Sequence, residues 1–278
     1  MKIINCYDNS YDQLAVKYPD ENIVVLNDAS VLLNDNCDNS IAWKNECPEL
    51  IERVATLHNF HNFHLTLNEK MKSGDHKFKK LYTWDKRYAS HPNVKIIKPS
   101  AAPWVDDGDS SIYGKTKNIT FITSNKNFLT YHRKRLHLAD AMIRNNMDVH
   151  GHGYNSIEKK VEVLKDHRFC FVIENGVYAG WHTEKILDCF RTGTVPIYLG
   201  DPDIGDIFDS SGIIKLNDDF NADDLLASIE DRLTDELYES MLPAITKNFE
   251  ISMGYKNDPK TIMDEILEDC QEFMNENA

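Results

Sequence analysis

Short apolar runs bounded by polar residues recur along this chain, and in its second half they alternate with longer stretches of helical period. Residues 2–6 (KIINC) and 23–26 (IVVL) are the first two, and residues 63–67, 79–83 and 94–97 follow; each has the length of a strand. Between them, residues 48–58 carry Leu50, Val54 and Leu57 at helical spacing behind Pro48, whose missing N–H costs little in a first helical turn. Residues 100–117, SAAPWVDDGDSSIYGKTK, are dense in Gly, Ser, Pro and Asp, and a domain boundary is expected there.

Beyond that linker the alternation becomes regular. Strands are expected at residues 118–124, 148–151, 169–173 and 195–199, and helices at 131–145, 157–164, 183–191 and, briefly, 203–208. The helix at 131–145 repeats its apolar residues Leu136, Ala139 and Ile143 at spacings of three and four. Strands that read as unbroken apolar runs belong to a parallel sheet covered on both faces, so the fold class is α/β. Such sheets bind ligands beyond the carboxyl ends of their strands, where helix N-termini favour anions. Two α/β halves joined by a linker predict domains facing a cleft. After residue 220 the pattern is of paired amphipathic helices, with Leu225, Leu226, Ile229 and Leu233 on one face and Ile262, Ile266 and Phe273 on another.

Charge narrows the partners. The 278 residues carry 31 basic and 45 acidic side chains, a formal net charge of −14, which argues against a nucleic-acid binder. Nearly all of that excess lies after residue 215, whereas residues 68–98 hold nine basic against three acidic side chains. A basic stretch inside an acidic protein suits a small anionic substrate. No run has the length of a membrane span and the first residues lack a signal pattern. The six cysteines show no metal spacing and read as reduced thiols, so a cytoplasmic location is expected.

The densest chemistry lies in residues 169–208, FCFVIENGVYAGWHTEKILDCFRTGTVPIYLGDPDIGDIF. Behind the buried strand stand Glu174 and Asn175, then a glycine-containing loop, then Thr183, Glu184 and Lys185 opening an amphipathic helix. Thr183 is a plausible N-cap, and Glu184 in the first turn is favoured by the helix dipole. Capping leaves unexplained Lys185 at the mouth of the sheet and Glu174 at a strand's carboxyl end.

These residues resemble the donor-binding motif of the α-1,3/4-fucosyltransferases, glycosyltransferase family 10, whose members carry F-E-N, then Y-V/I-T-E-K, then V/I-P-hydrophobic-G. Here the elements stand as Ile173-Glu174-Asn175, as Trp181-His182-Thr183-Glu184-Lys185, and as VPIYLG at residues 195–200. TSNKNF, which contains Asn125, and HRKRL, which contains Arg135, extend the resemblance upstream, so that it covers roughly residues 119–214. The resemblance implies a two-domain glycosyltransferase-B fold with Rossmann-like domains facing a cleft. It divides the chain into an acceptor-binding domain at 1–113, a nucleotide-sugar domain at 114–250, and a C-terminal helix at 251–278 packed back on the first domain.

It also assigns roles. Asn125, Arg135, Glu174, Asn175, Trp181, Thr183, Glu184 and Lys185 form the donor set, with Arg135 on the diphosphate, Glu184 on the ribose, Lys185 on phosphate, and Glu174 and Asn175 lining the sugar pocket. The family's Tyr before V-T-E-K is Trp181 here and the next residue is His182, which puts the identity of the donor sugar in question. The expected reaction is inverting transfer, first of fucose from GDP-fucose to a glycan or glycoprotein hydroxyl, without an obligatory metal. A transferase using another sugar nucleotide such as UDP-xylose, and an inactive carbohydrate- or nucleotide-binding relative, are the alternatives. AWKNECPEL, residues 42–50, resembles the family's W-x-x-E-x-P stretch and makes Glu46 the expected general base, with Glu49 as understudy.

Other features carry less. Asp201-Pro202-Asp203 has the form of a metal-binding D-x-D, but its place after Gly200 favours a turn and an N-cap. Asp106-Asp107-Gly108-Asp109 lacks the later bidentate Glu of a calcium loop. His58, His61 and His64 have the wrong spacing for a helical metal pair. Gly151-His152-Gly153 is a candidate for close backbone approach to a nucleotide.

Overall fold

The computed structural model describes residues 102–255 continuously, and before them residues 2–4, 24–27, 40–44, 49 and 80–98 apart from 91 and 93. The chain divides into two compact units, Met1–Ser100 with Lys260–Ala278, and Ala101–Pro259.

The first unit holds a five-stranded parallel sheet in the order β1-β2-β3-β4-β5: Lys2–Ile4, Val24–Asn27, Ser40–Lys44, Lys80–Thr83 and Val94–Ile96. Four of these strands match expected runs. β3 does not, because SIAWK is short and mixes polar with apolar residues, so no alternation marks it. The helix expected at 48–58, apart from the helical and half-buried Glu49, and the strand expected at 63–67 lie outside the described residues.

The second unit is built on a second five-stranded sheet, in the order β10-β9-β8-β6-β7. Its strands are β6 (Lys117–Ile122), β7 (Asp148–His150), β8 (His167–Ile173), β9 (Val195–Leu199) and β10 (Ile214–Lys215). All pairings are parallel. β9 is buried along its whole length and β8 nearly so, because helices cover both faces. Pro196 sits within β9 because β10 pairs only with Ile197 and Tyr198, leaving no neighbour on that side waiting for the missing N–H.

Among the described residues five helices accompany this sheet: α1 (Thr130–Arg144), α2 (Val161–Leu164), α3 (Glu184–Phe190), α4 (Ala222–Ile229) and α5 (Asp235–Ser252). α1 turns His132, Arg135, Leu138, Ala139 and Met142 inward at helical spacing. Thr234 caps α5 by accepting from the Leu237 N–H at 3.2 Å, and Tyr238 on its inner face donates to the Gly193 carbonyl at 2.9 Å. Phe121, Leu138, Phe169, Phe171, Ile186, Phe190 and Ile197 are central members of the buried core.

Two expectations shrink, and one strand was not expected. The helix expected at 157–164 is the single turn α2, because Glu158, Lys159 and Lys160 offer no apolar side to bury. Residues 203–208 form one 3-10 turn, Ile204–Asp206. β10, only two residues long, is too short for any pattern to reveal. The strand order matters more: the chain leaves β6 toward β7 on one side and returns to β8 on the other. The β6–β8 junction is therefore the switch point, and its carboxyl edge is where such sheets hold ligands.

Candidate active site at the carboxyl edge of the second sheet

At that edge β8 ends in Ile173 and continues into Glu174 and Asn175, and these two neighbours grip two different cations. Glu174 is fully buried. Its Oε1 accepts from the Thr183 N–H at 2.9 Å, and its Oε2 accepts from the Thr183 hydroxyl at 2.7 Å and from Lys185 Nζ at 3.0 Å. Lys185 Nζ also donates to Thr183 Oγ1 at 2.8 Å. The first turn of α3 is thus tied to the end of β8. On the other side, Asn175 Oδ1 accepts from both Nη1 and Nη2 of Arg135 at 2.9 Å, and Arg135 Nη1 donates to the Ile173 carbonyl at 2.9 Å. Successive residues of an extended strand face opposite ways, which is why one E-N dipeptide serves both cations.

The electrostatics follow from this packing. Burial alone would lower the Lys185 ammonium, but the carboxylates of Glu174 and Glu184 raise its pKa, with Arg135 near enough to oppose them. Burial likewise pushes Glu184 up, yet Lys185, Lys160 and its own backbone N–H bring it down to about 2. Lys160 Nζ lies 3.6 Å from Glu184 and 2.6 Å from Asp188, under the exposed ring of Trp104 at 4.3 Å. Asp188 in turn accepts from the Trp104 and Val105 N–H groups at 2.7 and 2.9 Å, which fastens the linker to α3.

The sequence-derived donor set meets this geometry unevenly. Arg135, Glu174, Asn175, Thr183, Glu184 and Lys185 come together. Glu174 is fully buried and shared among three donors, so it holds Lys185 and Thr183 in position. Thr183 stands at the N-cap position without capping; its hydroxyl serves Glu174. Trp181 is 3% exposed, its ring set edge-on to Tyr178 at 6.0 Å. His182 is fully buried between Phe208 and Tyr255 and shares a 3.1 Å hydrogen bond with the Tyr255 hydroxyl.

Asn125 lies on the loop after β6, where its Oδ1 is 3.0 Å from His152 Nδ1 and its N–H donates to the His152 carbonyl at 3.0 Å. Gly151 and Gly153 make that contact possible. Both have positive φ, +112° and +89°, and a Cβ on Gly151 would sit 2.0 Å from the Thr123 carbonyl oxygen. The close approach expected of this triplet is therefore made first to the neighbouring loop.

The demoted acids have local uses. Asp201 Oδ1 accepts from the Gly180 and Asp203 N–H groups at 2.8 and 2.9 Å, which forms the expected turn, while Asp203 stands at the N-cap position of the 3-10 turn without a side-chain capping bond. Asp107 holds the fully buried Arg191 at 2.9 Å, and Asp109 holds Lys159 at 2.9 Å. Among the described residues no three His, Cys, Asp or Glu side chains gather into a metal-binding group, and no helix is long and apolar enough to cross a membrane. Cys170 and Cys189 are free, buried thiols. Glu46, the expected general base, the histidines at 58–64 and the apolar positions at 262–273 lie outside the described residues.

Two contributors were not picked out from the sequence. Lys160 is separated from Glu184 and Asp188 by a strand and a loop, and nothing local announces the contact. His132 had a signal, standing one helical turn before Arg135 in HRKRL.

Residues 112–276 match the family described as glycosyltransferase family 10 (fucosyltransferase), C-terminal part. The chain is similar to the alpha-(1,3)-fucosyltransferase FucT of Helicobacter pylori, 32% identical over 96 residues; this is 32% of the chain but only 20% of that relative's length. It resembles the solved structure of an α1,3-fucosyltransferase with GDP at a TM-score of 0.53 and 15% identity, covering 92% of each chain. A further structure, an α1,3-fucosyltransferase with GDP-fucose, gives 0.50 and 17% over 81% of this chain and 70% of that one. Likenesses at such identities bear on architecture, and the architecture is the α/β, two-domain glycosyltransferase-B fold.

Proposed function

The chain belongs to glycosyltransferase family 10, and from that premise we propose that it transfers fucose from GDP-fucose to a hydroxyl of a glycan or glycoprotein, with inversion at the anomeric carbon. The observation that carries the reading is the pair Arg135 and Lys185, held by adjacent residues Asn175 and Glu174 at the switch point of the nucleotide-binding sheet. Departure of a nucleoside diphosphate builds charge on its phosphate oxygens, and fixed cations already in place stabilise that charge without reorganising. Arg135 offers a planar fork and Lys185 a point charge, and α1 begins at the same edge. Glu184, ionised at any ordinary pH, is the proposed acceptor of ribose hydroxyls. The complex of an α1,3-fucosyltransferase of this fold with GDP-fucose supports the choice of donor.

The acceptor hydroxyl must lose a proton as the new bond forms, and Glu46 is the proposed general base. The cations supply the leaving-group stabilisation, so no step is assigned to a metal ion. The replacement of the family's Tyr by Trp181 supports a second reading in which another sugar nucleotide, such as UDP-xylose, is the donor. Thermal melts with GDP, UDP, GDP-fucose and UDP-xylose separate the two, since a ligand at 100 times its Kd stabilises by about 2.7 kcal/mol. The first reading predicts a shift with GDP and GDP-fucose, followed by fucose transfer detected by mass spectrometry and lost in Glu46→Gln. A shift with the uridine compounds alone moves the assignment to the second reading. No shift with any of the four leaves a relative that does not use these donors.

A further inference from the structure

His132 is 3% exposed and stands one helical turn before Arg135 on the inner face of α1, at the carboxyl edge of β6 and β8. Its ring packs edge-on against Phe128 at 4.4 Å, and its buried Nδ1 has no hydrogen-bond partner within the protein. Cations from three elements, Arg135 of α1, Lys126 of the β6–α1 loop and Lys185 of α3, act on the ring, and a hydrogen bond to the Asn175 side chain at the end of β8 opposes them. A polar nitrogen withdrawn from water without a partner is costly, and a catalytic or ligand-binding role is one reason such a group is kept.

We infer that His132 is a further ligand of the donor, presenting Nδ1 to an oxygen of the diphosphate and taking up a proton from solvent as the anion docks. Without an anion, burial and the cations hold the ring neutral, with its pKa brought down to about 4. A diphosphate placed among Arg135, Lys126 and Lys185 reverses that field, and the imidazolium becomes the favoured form. His132 then acts as a fourth cation that exists only while the donor is bound, and it keeps the empty site from carrying more positive charge than its walls can balance. The inference rests on the reading that a nucleotide sugar occupies the switch point.

The test is calorimetric titration of GDP-fucose and UDP-xylose near pH 6, in two buffers of different ionisation enthalpy, into the wild-type chain and into His132→Gln and His132→Asn. Sugar nucleotides serve as probes because their diesterified phosphates do not titrate in this range. The expected result is net proton uptake with whichever donor binds the wild type, and loss of that uptake together with at least tenfold weaker binding in both variants. Binding to the wild type without proton uptake, or variants that keep it, overturns the role of His132 and leaves the donor reading standing. Failure of the wild type to bind either donor removes the donor reading and the inference with it. Should one variant melt early, the wild-type measurement alone still decides.

Discussion

Replacing Glu174 with Gln exchanges one carboxylate oxygen for an amide nitrogen of the same shape, at a position with no exposure at all. The wild-type carboxylate satisfies three donors, the Thr183 N–H, the Thr183 hydroxyl and Lys185 Nζ. A Gln oxygen in the Oε1 place keeps the first. The hydroxyl can rotate and accept from the new NH2, but the ammonium of Lys185 then faces a donor. A hydrogen bond to a charged group is worth about 1.5–3 kcal/mol, and breaking a buried pair costs about 3–5. Lys185 keeps Glu184 at 3.6 Å and is 26% exposed, so the lower part of that range applies, about 3 kcal/mol. For a unit of this size that lowers Tm by roughly 6–12 °C. Urea unfolding followed by circular dichroism measures the loss, with an unchanged m value showing that the native state alone was affected. A variant within about 0.5 kcal/mol of wild type would refute the role given to Glu174, since that is the range of a surface substitution.

Arg191→Met should destabilise by about 1–3 kcal/mol for each of the buried Val105 and Ser252 carbonyls it leaves without a donor, the exposed Asp107 being resolvated by water; equilibrium unfolding measures this. Gly151→Ala forces a Cβ against the Thr123 carbonyl at positive φ and should cost about 1–3 kcal/mol and weaken nucleotide binding. Gly114→Ala, with nothing within 4 Å, should change stability by less than about 0.5 kcal/mol in the same assay. His132 titrates near 4 when folded against 6.5 when unfolded, so the unfolded chain binds more protons in between. Stability is then constant above that window and falls as pH drops through it, by at most about 1.4 kcal/mol per pH unit, a slope that His132→Gln should remove. Glu184 adds a separate loss between its ordinary 4.5 and about 2.

Much of the second unit was legible because its strands are buried on both faces and read as apolar runs, as Phe169 to Ile173 and Val195 to Leu199 do. Long-range ties left no trace of that kind. Lys160 and Asp188, or Trp104 and Asp188, meet only after the chain has folded. The E-N dipeptide was recognisable, but its division of labour was not. Only the strand geometry shows Glu174 turned inward to Lys185 and Asn175 turned to Arg135. Nor does position within a binding motif tell how deeply a side chain is buried, and Trp181 and His182 are both buried.

Titration of GDP and GMP into the wild-type and Lys185→Met chains asks whether the cations grip a diphosphate. The account predicts that wild type prefers GDP over GMP by at least tenfold and that the preference collapses in the variant while the weaker affinity for GMP is largely retained. Equal binding of the two nucleotides by wild type, or a preference that survives the loss of Lys185, would contradict it.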